Sequence, residues 1–69
     1  MSLLEKIEAT INNIESTKKY WETEEIKKEG EELLMWAWED LDRCVEGYGQ
    51  IDHARLERAT LTFMSKVVG

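Results

Sequence analysis

The chain has 69 residues, a net charge of −6 and 35% charged residues. Chains shorter than roughly 70–80 residues draw only about 3–5 kcal/mol from a single core, and they usually need disulfides, a metal or self-association. The lone Cys44 excludes an internal disulfide, and no Cys/His cluster has zinc-ligand spacing. We therefore expect one domain over residues 1–69 that self-associates and has no cofactor.

The negative charge is concentrated in the middle of the chain. Residues 24–49 hold nine acids and three bases, whereas the segments on either side are nearly neutral. Duplex DNA and anionic membranes are bound by Lys and Arg that neutralise phosphates, so neither is an expected partner. A protein with a basic surface is the expected partner. The bases near the end form, with His53, a thin patch that we interpret as solvated: Arg55, Arg58 and Lys66.

The longest apolar run, residues 33–38, is far shorter than the roughly 18 residues that span a bilayer. The N-terminus has no basic region followed by an apolar stretch, so we expect no secretion signal. A single unpaired cysteine fits a reducing compartment. We expect a cytoplasmic protein of a bacterial or host cell.

The first predicted helix covers residues 3–20. Ser2 and Glu5 have the spacing of a capping box at its start. Apolar residues then recur every three or four positions, as on one face of a helix: Leu4, Ile7, Ile11 and Ile14. Trp21 resumes this stripe near the first connection, where packing into the core is its expected role.

The second predicted helix covers residues 24–47, with Thr23 as its N-cap because two glutamates follow it. Gly47 and Gly49 flank Tyr48, and we expect the helix to end there because glycine readily adopts the left-handed backbone conformation of a C-cap.

A break at Gly30 is an alternative, because two lysines precede it and two glutamates follow it. The turn would have almost no loop, so we favour a continuous helix in which Gly30 permits a close approach by a neighbouring helix.

The third predicted helix covers residues 53–67. Asp52 is its cap, and Ile51 and Leu56 have the spacing of a hydrophobic staple. The inward stripe is Leu56, Ala59, Phe63 and Val67. Short connections favour antiparallel neighbours, so the expected fold is all-α, an up-down-up three-helix bundle or a long helical hairpin plus a third helix, and homo-oligomeric.

Trp36 and Trp38 are the candidate contact residues of the second helix. Residues i and i+2 point about 200° apart on a helix, so both rings cannot enter one core. The helical wheel puts Trp38 at the edge of the core side, and it puts Trp36 and Met35 outside it among charged residues. The predicted partner or oligomer interface adds Glu32, Glu39, Asp40 and Arg43. Self-association, a foreign partner, and packing of Trp36 on another helix remain open interpretations.

Four side chains bear on ligand binding or catalysis. Trp21 and Trp38 are the aromatics available to a small ligand, such as a nucleotide in an intersubunit pocket. Cys44 is on the core side and is expected to be a buried structural thiol. His53 is expected on the surface.

One carboxylate pattern suits Mg²⁺, because two i, i+3 pairs on antiparallel helices can present four oxygen ligands. The pattern is Glu22, Glu25, Glu39 and Asp42. It resembles the metal-binding acids of the all-α, MazG-like nucleotide pyrophosphohydrolases and covers about a third of the chain. The resemblance implies a Mg²⁺-dependent hydrolase, and it requires the chain to turn near Gly30.

The main functional expectation is protein binding without catalysis. A compact acidic module of this size suits a stoichiometric regulator or inhibitor that docks on a basic surface, as small bacterial or phage-encoded modulators do.

Overall fold

A computed structural model describes residues 2–47 and 51–68, and over these residues the chain is helical with three α-helices. Helix α1 is Leu3–Ser16, α2 is Glu24–Glu46 and α3 is His53–Val68. A short 3₁₀ turn, Lys18–Tyr20, follows α1, so the first α-helix ends four residues earlier than predicted. The arrangement is compatible with a three-helix bundle. The predicted roles of Tyr48 and Gly49 lie outside the described residues.

The predicted caps form as local hydrogen bonds. The Ser2 hydroxyl accepts the Glu5 amide at 3.2 Å, and the Thr23 hydroxyl accepts the Ile26 amide at 3.1 Å. The Asp52 carboxylate accepts a hydrogen bond from the Arg55 amide at 3.1 Å. Gly47 ends α2 with φ 78°, and its amide donates to the Arg43 carbonyl. Each cap satisfies an amide or carbonyl that the helix itself leaves unpaired.

The core lies where the apolar stripes of the three helices meet. It is built from Ile7, Ile11 and Ile14 of α1, Leu33, Leu34 and Ala37 of α2, Leu56 and Phe63 of α3, and Trp21 of the first connection. The predicted stripes of α1 and α3 are confirmed at these positions. Leu4, Ala59 and Val67 are only partly buried and lie at the margins of the core.

Helix α2 runs without a break through Gly30. The Trp21 indole lies against this glycine, and a Cβ there would be 2.5 Å from two of its ring carbons. Gly30 does permit a close approach, but the neighbour is the Trp21 side chain of the first connection and not a helix, so the prediction holds only in part. Trp21 itself is 9% exposed and meets Phe63 edge to face, with ring centroids 5.7 Å apart.

Helices α1 and α3 run in the same direction, and α3 extends beyond the end of α1. His53 at the start of α3 lies beside Thr10, whereas Phe63 lies beside Trp21, which follows α1. At 1.5 Å per residue, α1 continues for about 9 Å beyond Thr10 and α3 for about 22 Å beyond His53. The last turns of α3 therefore have no α1 beside them.

No helix in the described part of the chain is long and apolar enough to cross a membrane.

Candidate interaction surfaces of helix α2

Trp36 and Trp38 lie on opposite flanks of α2. Trp36 is partly buried against the core on the side that faces α3, and the Arg55 guanidinium lies over its ring at 5.7 Å from the centroid. Trp38 is 49% exposed on the side that faces α1, and Met35 is 64% exposed between the two flanks. The prediction that placed Trp36 outside the core side is therefore wrong, and packing on another helix, left open by the sequence, is the arrangement observed.

The physical reason is the side of α2 that α3 covers. The sequence pattern centres the apolar arc between Leu33 and Trp38, but α3 packs on the opposite shoulder, beside Glu29 and Trp36. The buried arc of α2 is thereby shifted toward Trp36, and Trp38 is left in solvent. Only one of the two rings packs against the core, as predicted. That ring is Trp36 and not Trp38.

The predicted interface set is divided by the fold. Glu39 and Arg43 are exposed on the outer side of α2, and Glu32 is exposed at the groove between α2 and α3, so a partner can reach all three. Asp40 is only 4% exposed, so the prediction that it contacts a partner is wrong. Its carboxylate lies 3.7 Å from the Arg43 guanidinium one turn later, and it faces the bundle because it shares the flank of Trp36.

The groove between α2 and α3, here called the Trp36 groove, has a volume of about 340 Å³. Its apolar part is formed by Leu33, Trp36 and Phe63. Across the two helices the Lys66 ammonium lies 3.3 Å from the Glu29 carboxylate, and Glu32 adds a second carboxylate to the lining.

The groove between α1 and α2, here called the Trp38 groove, has a volume of about 300 Å³. Trp38 and Leu41 line it from α2, and Ile11 lines it from α1. Glu8 and Glu15 stand on its α1 side, one on each side of Asn12. None of the described residues that line it is basic. The linings of the two grooves therefore differ in charge: the Trp36 groove has two carboxylates and one ammonium, whereas the Trp38 groove has two carboxylates and, among the described residues, no base.

Trp21 is a packing residue in this structure. Its indole N–H donates to the Thr17 hydroxyl at 2.9 Å, and that hydroxyl donates to the Ile14 carbonyl at 2.7 Å. With its ring against Gly30 and Phe63, the indole has no free polar edge to offer a ligand. The prediction of core packing is confirmed.

His53 is not the surface side chain that the sequence predicts. Its ring is mostly buried between α1 and α3, with Nε2 3.4 Å from the Thr10 hydroxyl and Nδ1 3.8 Å from the Glu57 carboxylate. The parallel approach of α3 to α1 produces this burial. Cys44 is partly buried against the core, which agrees with the predicted core side, although its burial is incomplete.

The four carboxylates proposed for Mg²⁺ do not converge. Because α2 is continuous, Glu25 and Glu39 are fourteen residues apart on one helix, which separates them by about 21 Å along its axis. In residues 2–47 and 51–68, no group of three or more His, Cys, Asp or Glu side chains is placed to hold a metal ion. The predicted metal arrangement at Glu22, Glu25, Glu39 and Asp42 is therefore wrong.

Comparison of the chain with known protein families, with curated proteins and with solved structures finds no match. The resemblance of the acidic pairs to the MazG-like enzymes thus has no support from a family match.

The sequence alone did not reveal the Trp38 groove. Glu8, Asn12 and Glu15 have no role in the predictions from the sequence. Their spacing of three and four residues is the available signal, because it places them in one row beside the apolar stripe of the same helix. Which row of α2 they face depends on how the two helices are rotated, and a helical wheel does not contain that angle.

Proposed function

We propose that this protein is a small acidic interaction module that binds a basic surface of another protein, as a stoichiometric regulator or inhibitor. The observation that carries the proposal is the outer face of α2. Met35, Trp38 and Val45 are 64%, 49% and 69% exposed there. The exposed acids among them are Glu31, Glu39, Asp42 and Glu46.

The chemistry of this outer face suits a cationic protein surface. From residue 31 to residue 46 the only base is Arg43, and it lies beside the buried Asp40. The exposed carboxylates are therefore without basic neighbours along this half of α2. Such a face attracts a positive partner at long range, and the apolar side chains supply contact area once the partner is docked.

The test is capture of partners from the native cell by the wild-type chain and two variants of equal charge. The outer-face variant carries Glu39→Gln, Asp42→Asn and Glu46→Gln, and the control variant carries Glu22→Gln, Glu24→Gln and Glu57→Gln. We expect basic proteins to be captured by the wild type and the control at low salt, and to be lost with the outer-face variant or at high salt. Equal capture by the two variants contradicts the proposal.

Self-association is a second candidate, and the last turns of α3 support it. Leu61 and Val68 are 61% and 81% exposed, and with Met64 and Ser65 they form an uncharged stripe beyond the end of α1. Two copies with a charge of −6 each repel one another, most strongly where two α2 outer faces would meet. We therefore place the contact between copies on α3 and not on α2.

The stripe spans only about two turns, so the area between two copies is of the order of a few hundred Å², below the roughly 1,200 Å² of stable interfaces. We expect a weak dimer whose mass in sedimentation rises with concentration. Leu61→Gln with Val68→Gln should abolish the rise, and Met35→Gln should not. A monomer at millimolar concentration, or a dimer that only Met35→Gln disrupts, contradicts this placement.

A further inference from the structure

We infer that the basic partner docks in the Trp38 groove, and that the element it inserts is a cationic amphipathic helix. This inference rests on the proposed function and names the site and the partner class. It replaces Trp36 by Trp38 as the aromatic anchor.

The groove has the form that a helix can occupy. Its two walls are helices, and its apolar floor is formed by Ile11, Leu41 and the exposed half of Trp38. Val45, 69% exposed, continues the row one turn beyond Leu41. On each wall the lining residues are three or four positions apart in the sequence, which places one on each helical turn. Apolar side chains on successive turns of a docked partner helix can therefore contact successive residues of the floor.

The length of the rows sets the length of the partner segment. From Glu8 to Glu15, and equally from Trp38 to Val45, seven residues cover about 10 Å. A docked helix of about three turns covers both rows. A volume of about 300 Å³ is at the lower end of small-molecule sites, and it suits side chains projecting from a helix better than a whole ligand.

The charge of the rim selects a cationic helix. Glu8 and Glu15 border the groove on α1, and Asp42 lies one turn after Trp38 on α2. A helix with one apolar stripe and Lys or Arg on both shoulders pairs with these carboxylates on either side of the groove. The Trp36 groove selects a cationic helix less strongly, because Lys66 adds a positive charge to its lining and pairs with Glu29, and the Arg55 guanidinium lies over the Trp36 ring.

A second copy of the chain is a poorer occupant of the same groove. Its α2 would bring further carboxylates to a rim that is already acidic. Its α3 is the most basic helix, but the uncharged stripe of α3 lies in turns that carry no base on the same face. Charge complementarity therefore favours a foreign cationic helix.

The test uses two defined 18-residue peptides. The first has leucines at positions i, i+3, i+4 and i+7 of a helix and lysines elsewhere; the second has the same composition in an order that forms no apolar face. Binding is measured by calorimetry, and the site is located by ¹H–¹⁵N spectra, in which each tryptophan gives its own indole N–H signal. We expect the amphipathic peptide to shift the Trp38 indole signal and the amides from Glu8 to Glu15, while the Trp21 signal stays in place.

Three variants measure how much the Trp38 ring and the rim carboxylates contribute to the affinity for the amphipathic peptide. Trp38→Ala should weaken binding of the amphipathic peptide about 30-fold or more, because a tryptophan anchor is lost. Glu8→Gln with Glu15→Gln should weaken it about fivefold, since two exposed ion pairs are lost. The matched control, Glu24→Gln with Glu57→Gln, removes the same charge elsewhere and should change affinity less than twofold. Circular dichroism checks that all three keep their helices.

Several outcomes overturn the inference. They are equal binding of the scrambled peptide, no binding of the amphipathic peptide, or shifts at Trp36 and Lys66 in place of Trp38. A change in the sedimenting mass of the free protein on Glu8→Gln with Glu15→Gln assigns the groove to a second copy and also overturns it.

The two proposals fail separately. If capture of basic proteins from the cell depends on Glu39 and Glu46, which the groove inference does not use, but not on Trp38, Glu8, Glu15 or Asp42, the groove inference is wrong and the proposed function stands. If capture depends on neither set, both are wrong.

Discussion

The indole ring of Trp21 lies against Gly30 so closely that no side chain fits between them. The ring is held on its other sides by the Thr17 hydroxyl and by Phe63, and it closes the end of the bundle between the first connection and α2. This contact explains a glycine in the interior of a helix, where glycine costs about 1 kcal/mol relative to alanine.

Gly30→Ala should lower the free energy of unfolding by up to about 2 kcal/mol. Overpacking costs about 1–3 kcal/mol, and it exceeds the gain of about 1 kcal/mol in helix propensity because the hydrogen bond to Thr17 prevents the indole from moving away. Urea denaturation measures the change. In a Trp21→Leu background the same substitution should stabilise the protein, and a stabilising effect in the wild type would contradict the close approach.

Thr17→Val should destabilise the protein by about 1–3 kcal/mol, because it leaves the buried indole N–H of Trp21 without an acceptor. The substitution keeps the shape of the side chain, so little of the loss arises from packing. Thr17→Ser retains the hydroxyl and should recover most of the stability. A Thr17→Val variant as stable as the wild type in thermal unfolding, beside a destabilised Thr17→Ser, would show that the methyl group, and not the hydrogen bond, is important.

Gly47→Ala should destabilise the protein by about 1 kcal/mol. The residue has φ 78° and nothing lies within 4 Å of a Cβ placed there, so the cost is backbone strain alone. Gly47→Asn should cost less, since asparagine tolerates the left-handed region better than alanine does. A D-alanine at this position, introduced by chemical synthesis, should be neutral or stabilising. Chemical denaturation of the three variants gives the ranking, and a neutral Gly47→Ala argues against the left-handed cap.

Trp36→Ala should cost about 2 kcal/mol of stability, and Trp38→Ala should cost less than about 1 kcal/mol. Trp36 loses contacts with the core and with Arg55, whereas Trp38 is half exposed before the substitution. Thermal unfolding measures both.

Fluorescence quenching by acrylamide provides an independent check on the two rings. A chain with Trp21→Phe and Trp36→Phe should be quenched more strongly than one with Trp21→Phe and Trp38→Phe. The reverse order would restore the assignment that the helical wheel gives.

Local features of the sequence predicted much of the fold. The caps at Ser2, Thr23 and Asp52 form as predicted, because each is a hydrogen bond between residues three apart and needs no tertiary context. The continuity of α2 through Gly30 was also predicted, from the absence of room for a loop. The end of α1 was placed four residues too late, because the 3₁₀ turn after it is also helical and differs from an α-helix by hydrogen bonds between residues three apart.

The candidate site was predicted only in part. An exposed apolar group on an acidic α2 follows from composition and periodicity, since one helix cannot direct Leu33, Met35, Trp36 and Trp38 into one core. The prediction of which tryptophan is exposed was wrong, and Asp40 was assigned to the partner interface although it is buried.

The amino-acid sequence by itself determined three helices, their caps and the acidic character of the middle one, because these depend on interactions within a few residues of each other. The tertiary structure decided the rotation of α2 between its neighbours. That rotation buries Trp36, exposes Trp38 and places Glu8 and Glu15 beside an apolar groove. That rotation depends on how whole helices pack side by side, and such packing is a sum of contacts between residues far apart in the chain.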